Sequence, residues 1–218
     1  MKPIDFIFQA KDGKSLYGYK WITEEQMGPK AIIQISHGMT EHAQNYHHFV
    51  QPLLKAGYGV YANDHRGHGK NAKTLDELGY FSDSKGWDLA VSDMYQLTQI
   101  IGREYPKKPI YVLGYSLGSL LTRDYISVFP NSTNGAILCG THGGMGVASN
   151  IGLGILKWMI SRKGSKMISP FLNQLSFGDT QGILPLPHIQ KRAPSLEKIV
   201  PVELIDPALY RQHYKIGF

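Results

Sequence analysis

The stretch "YVLGYSLGSLL" (residues 111–121) decides the fold. It reads as a buried strand running into Gly114-Tyr115-Ser116-Leu117-Gly118 and then directly into a helix. A sharp strand-to-helix turn with glycine two residues to either side of a serine lifts that hydroxyl above the end of an α/β sheet. The glycines matter because neighbouring backbone passes close to such a turn, where a Cβ would intrude. With 24 glycines in 218 residues, chance alone would put the bare G-x-S-x-G pattern in roughly one chain in five. The apolar strand before it and the helix face after it carry the reading. A serine hydroxyl is nearly inert at neutral pH unless a base takes its proton, so a histidine and a carboxylate are needed too.

Outward from this turn, "AIIQIS" (31–36), "YGVYAND" (58–64), "IYVLG" (110–114) and "GAILCG" (135–140) are short apolar runs suited to strands buried on both faces. Helical patterns separate them. Trp87, Val91, Met94 and Tyr95 follow the spacing of one helix face, as do Leu117, Leu120, Leu121, Tyr125 and Val128 before Pro130. Strands alternating with helices imply right-handed crossovers and a mostly parallel sheet covered on both sides. At the start, "PIDFIFQ" and "SLYGYKWI" flank Asp12-Gly13 as an antiparallel hairpin. The expected class is therefore α/β with an antiparallel N-terminal edge.

After Gly140 the texture changes. "THGGMGVASN" is glycine-rich, and "IGLGILKWMISRK" has an amphipathic helical pattern with Ile151, Ile155, Trp158, Met159 and Arg162 as facing positions. It is too short to span a bilayer and reads as a core or lid helix. The expected organisation is a core over 1–143, a lid insertion over 144–178 and a divergent tail over 179–218.

Composition narrows the function. Hydrophobic content of 42% and charged content of 18% are ordinary for a globular protein. The single cysteine, Cys139, precludes an intrachain disulfide and reads as a small buried hydrophobe. The N-terminus has no apolar run suited to a signal peptide, so a cytoplasmic location is expected. The net charge of +6 is scattered, without a basic stripe and interleaved aromatics, which argues against nucleic acid as a partner.

Two further segments bear on chemistry. In "QISHGMTEH" (34–42) a strand ends at Ser36 and His37-Gly38-Met39 leaves the sheet. In the elbow architecture one oxyanion donor is the amide after the serine, here Leu117, and the other comes from the loop after an earlier strand, here Met39. His37, beside a glycine at a strand end, reads as a brace for that loop. The cluster His37, His42, His47 and His48 lacks metal-ligand spacing, so neither a metal nor another cofactor is expected. "YANDHRGHGKN" (61–71) holds Asp64, Arg66 and His68, but acid and base follow the serine in this architecture. That loop reads as a hydrogen-bonded rim.

Together, "HGMTEHAQNYHHFVQPLLKAGYGVYANDHRGHGKN" and "LGYSLGS" resemble the monoacylglycerol lipase and lysophospholipase branch of the α/β-hydrolases. The shared order is an HG-x-x-EH segment, a D-x-RGHG loop and a G-x-S-x-G elbow, and the likeness runs from about residue 3 to 178, including "NQLSFGD" (173–179). The resemblance implies a serine esterase with a lid over an acyl pocket, acting on monoacylglycerols, lysophospholipids or similar small esters. It implies Ser116 as nucleophile, Met39 and Leu117 as the oxyanion hole, and substrate contacts from lid residues such as Ile155 and Trp158. Peripheral membrane contact through the lid belongs to the same expectation, while oligomeric state is left open. Tyr115 stands where the family often has histidine.

The tail departs from the resemblance. The family continues into two further parallel strands, one ending in the catalytic Asp and the next leading to the catalytic His. Here "IVPVELIDP" ends at Asp206-Pro207 with eleven residues to follow, too few for a crossover and another strand. Asp206 and His213 are the acid and base this stretch offers, and the sheet is expected to be incomplete at its C-terminal end. Two readings stay open: an active serine hydrolase with partners in unexpected places or from another chain, and a truncated remnant that lacks acid and base and binds ligand weakly.

Overall fold

The chain opens with an antiparallel hairpin, β1 (Ile4–Gln9) and β2 (Ser15–Trp21), with Ile4 opposite Lys20 and Gln9 opposite Ser15. Gly13 closes the turn at φ +82°, a backbone region glycine enters without strain. The four apolar runs then form β3 (Ile32–Ser36), β4 (Gly59–Asn63), β5 (Ile110–Tyr115) and β6 (Gly135–Cys139). With a short strand, β7 (Glu203–Ile205), the described residues form a seven-stranded sheet in the order β1-β2-β4-β3-β5-β6-β7. This computed structural model describes residues 1–23 and 28–141, with Met159, Ser161, Arg162, Gly164 and β7.

The centre β4-β3-β5-β6 is parallel, and the strands outside it are antiparallel. Every residue of β3 and β4 is buried, as expected of parallel strands with both faces covered. Helix α1 (His47–Lys55) lies with one face, packing Val50 and Leu54 among Ile33, Ile35, Val60 and Leu113. Helices α2 (Gly86–Glu104) and α3 (Leu117–Val128) cover the other. There Ala90, Val91 and Met94 meet Val112, Leu121, Tyr125 and Ala136. Alternation along β3 assigns the faces: Ile33 and Ile35 turn toward α1, while Gln34 donates its amide to the Met94 carbonyl of α2 at 2.9 Å.

The fold is the α/β class expected from the sequence, with its N-terminal hairpin. Helix faces differ in detail. Val128 stays exposed in the last turn of α3, and Ile126 and Thr122 are buried in its stead. On α2 the buried stripe runs through Ala90, Asp93, Leu97 and Ile101, leaving Trp87 outside the core.

At the C-terminal end, where the sheet is expected to be incomplete, β7 lies beside β6 and pairs antiparallel with it, Ala136 opposite Ile205 and Leu138 opposite Glu203. The resemblance implied a parallel neighbour here; an antiparallel one needs no crossover of its own in the same sense. The chain divides into two compact units, Met1–Thr141 with Val200–Phe218, and His142–Ile199. In the second unit Met159, Ser161 and Arg162 are helical. No helix among the described residues is long and apolar enough to cross a membrane.

Candidate active site

The elbow forms where β5 hands over to α3. Ser116 is exposed and sits at φ +50°, ψ −116°, a region that non-glycine residues enter only under strain. Its amide donates to the Cys139 carbonyl at 2.9 Å, and its carbonyl accepts from the Ser119 amide at 2.9 Å and the Ser119 hydroxyl at 2.6 Å. These bonds hold the serine backbone on both sides. The flanking glycines are required by crowding: a Cβ at Gly114 would lie 2.5 Å from the Gly118 carbonyl oxygen, and one at Gly118 only 1.9 Å from the Ser36 oxygen. The Leu117 amide opens α3, with no partner inside the helix and on its positive end.

The loop after β3 approaches this turn. His37 is fully buried, and its ring bonds fix its tautomer. Nε2 accepts the His65 backbone N–H at 2.9 Å, so the proton is on Nδ1, which donates to the Gly38 carbonyl at 2.8 Å. In a trans peptide the carbonyl and the next N–H point opposite ways. Gripping the Gly38 oxygen therefore aims the Met39 N–H away from the His37 ring. Burial and the neighbouring His65 hold His37 well below the usual imidazole value. It braces the loop, as expected, and both ring nitrogens are engaged. Met39 is 45% exposed, and Thr40 turns the chain at φ +62°.

The loop after β4 is buried from Asp64 to His68. The Asp64 carboxylate accepts from the Ala43 amide (2.9 Å), the Tyr19 hydroxyl (2.8 Å) and the Lys70 amide (2.8 Å). His65 Nε2–H donates to the His37 carbonyl at 3.1 Å, with Ser36 Oγ at 3.3 Å. Burial lowers His65 to about 3 and also lowers His68, whose Nδ1–H donates to the Arg66 carbonyl. Arg66 is bidentate to two carboxylates: Nε and Nη2 reach Asp93 at 2.6 and 2.9 Å, and Nη1 and Nη2 reach Asp12 at 2.7 and 2.8 Å. Hydrogen bonds from Arg66 hold Asp12 at about 2, whereas burial pushes Asp93 up to about 6 against the pull of the same guanidinium.

Ser116, Leu117, Met39 and His37 thus gather at the C-terminal ends of β3 and β5. Asp64, Arg66 and His68 lock their own loop and the hairpin turn. Sequence reasoning gave no bonding role to Glu41, whose Oε2 accepts the Gly38 amide and the Tyr46 hydroxyl, nor to Asp12 and Asp93 as partners of Arg66. Among the described residues no side chain hydrogen-bonds to Ser116 Oγ, and no group of three His, Cys, Asp or Glu is set to hold a metal ion. Asp206, His213, Ile155 and Trp158 lie outside the described residues. β7 runs from Glu203, opposite Leu138, to Ile205, opposite Ala136, so it leads away from the sheet end that carries Ser116.

Residues 27–193 match the family model described as Serine aminopeptidase, S33 (Hydrolase_4). The chain belongs to this α/β-hydrolase family of serine hydrolases. It is 34% identical over 112 residues to a monoacylglycerol lipase of Mycolicibacterium smegmatis, covering 51% of this chain and 38% of that protein. It is 32% identical over 127 residues to the monoglyceride lipase of Rattus norvegicus, covering 58% and 39%. The matches thus span less than two fifths of these curated relatives' own length. Among solved structures, a thermostable carboxyl esterase from Bacillus coagulans in complex with glycerol aligns with TM-score 0.67 and 28% identity, over 91% of this chain and 61% of that one. A lipase in its open form aligns with TM-score 0.71 over 99% and 66%; at 23% identity it supports the fold alone.

Proposed function

We propose that this chain carries the nucleophile and oxyanion hole of a serine hydrolase that cleaves carboxylic esters of monoacylglycerol or lysophospholipid type. The observation that supports this reading best is the strained, exposed Ser116 at the start of α3, with the Leu117 amide beside it and the His37-gripped Gly38–Met39 peptide at the neighbouring strand end. The lipid-like substrate class leans on the names of the curated relatives.

In this reading Ser116 Oγ attacks the ester carbonyl carbon while a general base takes its proton. The carbonyl π electrons move to oxygen, and the resulting oxyanion accepts hydrogen bonds from Met39 N–H and Leu117 N–H. Each such donor can contribute about 3 kcal/mol in the transition state. Collapse re-forms the carbonyl and breaks the ester C–O bond, and the departing alkoxide takes the proton from the base. Water then attacks the acyl-Ser116 ester by the same route in reverse, releasing the fatty acid. His213 as base and Asp206 as its orienting acid are the candidates within this sequence; another chain is the alternative source. The direction of β7 favours a second reading in which this chain lacks both and binds ester-like ligands only weakly.

Labelling with a fluorophosphonate probe separates the two readings. Rapid labelling of the folded chain that is lost in Ser116→Ala is the expected result. Folded protein that stays unlabelled would refute the catalytic reading and leave the ligand-binding one.

A further inference from the structure

We propose that Glu41 is the positioning residue of the oxyanion turn, its carboxylate tying the Gly38 amide to the Tyr46 hydroxyl so that the Met39 N–H keeps its aim. The inference rests on the reading of Ser116 as nucleophile and deepens it.

Gly38 is the weak point of that turn. Its position tolerates little bulk: a Cβ there would lie 3.0 Å from Glu41 Oε2 and 3.1 Å from the Tyr115 ring. Glycine fits, but it brings the widest backbone freedom of any residue. Two bonds remove that freedom. Glu41 Oε2 accepts the Gly38 N–H at 3.0 Å, which fixes the peptide before Gly38. His37 Nδ1–H donates to the Gly38 carbonyl at 2.8 Å, which fixes the peptide after it. The second peptide carries the Met39 N–H. With only the His37 bond, the plane could still swing about the Gly38 Cα.

Thr40, at φ +62°, folds the chain back so that residue 41 reaches residue 38. Glu41 is itself anchored. The Tyr46 hydroxyl donates to the same Oε2 at 2.9 Å, and the Tyr46 ring packs edge-on against Phe49 beside the α1 core. A carboxylate suits the task because it only accepts, and a charged acceptor strengthens both bonds. The path from core to site is Phe49, Tyr46, Glu41, Gly38, Met39. Glu41 touches no reacting atom in this scheme and acts through the backbone.

The test uses the full chain as wild type, Glu41→Ala, Glu41→Gln, Tyr46→Phe and Ser116→Ala. Fluorophosphonate labelling rates, kcat and KM on a short p-nitrophenyl ester, and Gly38 amide exchange by NMR are measured. Glu41→Ala should slow labelling about tenfold, short of the roughly hundredfold that a misplacement of about 1 Å can cost. The loss should fall on kcat with KM unchanged, and Gly38 exchange should accelerate. Glu41→Gln should restore most of the rate, because its amide oxygen can accept the same bonds. Ser116→Ala should lose labelling but keep Gly38 protected. If Glu41→Ala does not fold, Tyr46→Phe carries the test, with labelling about threefold slower and faster Gly38 exchange expected.

Labelling of the folded Glu41 or Tyr46 variants at the wild-type rate would overturn the proposal and leave the hydrolase reading standing. So would a loss confined to KM, or one that tracks the unfolded fraction and is not rescued by Glu41→Gln. A folded wild type with Gly38 protected but Ser116 unlabelled would overturn the hydrolase reading, and the positioning role with it.

Discussion

The loops that leave β3 and β4 are neighbours with similar spelling, "SHGMTE" (36–41) and "DHRGHG" (64–69), and they end in different surroundings. In the first, side chains bond backward onto the loop's own backbone, gripping Gly38 from both ends and leaving Met39 exposed. In the second, side chains reach outward as well as back: Arg66 to α2 and the hairpin turn, and Asp64 to Tyr19 and the Ala43 amide. Asp64 also accepts the Lys70 amide and His68 donates to the Arg66 carbonyl, so the loop is buried from Asp64 to His68. The two meet at the His37 and His65 rings, 4.0 Å apart. Histidine and glycine at a strand end therefore do not identify a site. What distinguishes the first loop is backbone held in place with a face left to solvent.

The sharpest way to break this comparison is Arg66→Ala. Arg66 and Asp93 side chains are 1% and 4% exposed, whereas Asp12 is 36% exposed. Removing the guanidinium leaves the Asp93 carboxyl buried without its partner, and breaking such a pair typically costs about 3–5 kcal/mol. Urea unfolding should show a loss of that order. The double variant Arg66→Met, Asp93→Leu should recover much of it, because apolar replacement of a buried pair is often neutral. A loss under 1 kcal/mol for Arg66→Ala would mean that this loop is no more a scaffold than the other.

That difference was only half legible in the sequence. The four central strands announce themselves as apolar runs, and the elbow is spelled within five consecutive residues, so both are local facts. Helix α1 was not read, because His47, His48 and Pro52 obscure its apolar face. The partners of Arg66 lie 54 and 27 residues away, Asp12 inside what reads as an ordinary turn and Asp93 on a helix. Nothing in spacing joins them; only the folded sheet does. Glu41 was visible as part of a motif, yet its task depends on the Thr40 bend, which no side-chain pattern encodes.

The histidines that join the two loops supply a graded effect. His37, His65 and His68 are buried and neutral, with values below the ordinary 6.5; His65 lies near 3. As pH falls below 6.5 the unfolded chain takes up protons that the folded chain refuses, so stability declines. The full contribution is present above 6.5 and is lost progressively toward the folded values. Each such histidine adds a slope of about 1.4 kcal/mol per pH unit. Urea unfolding at pH 7, 6, 5.5 and 5 should show a steepening loss, shallower in His68→Gln. Asp93, raised to about 6, takes up a proton in the fold over the same range and offsets part of this slope. The comparison of variants therefore decides: identical profiles for wild type and His68→Gln would mean that the ring protonates as readily in the fold as in the unfolded chain.

The smallest effect isolates exposure as the variable. Lys70 belongs to the second loop and pairs with Asp5 of β1 at 2.5 Å, a contact as short as those of Arg66. Both side chains are open to solvent, where Coulomb attraction is weak, salt screens it and two side chains lose freedom to form it. Asp5→Asn should leave the urea midpoint within experimental reproducibility, and any residual shift should vanish in 0.5 M salt. The lysine ammonium also stands 5.5 Å from the Tyr17 and Tyr19 rings, so it keeps favourable neighbours when the carboxylate is gone. If Asp5→Asn instead approached Arg66→Ala in magnitude, then short distance rather than burial would set the strength of these pairs. The contrast between an inward-locked loop and an outward-facing one would then lose its physical basis.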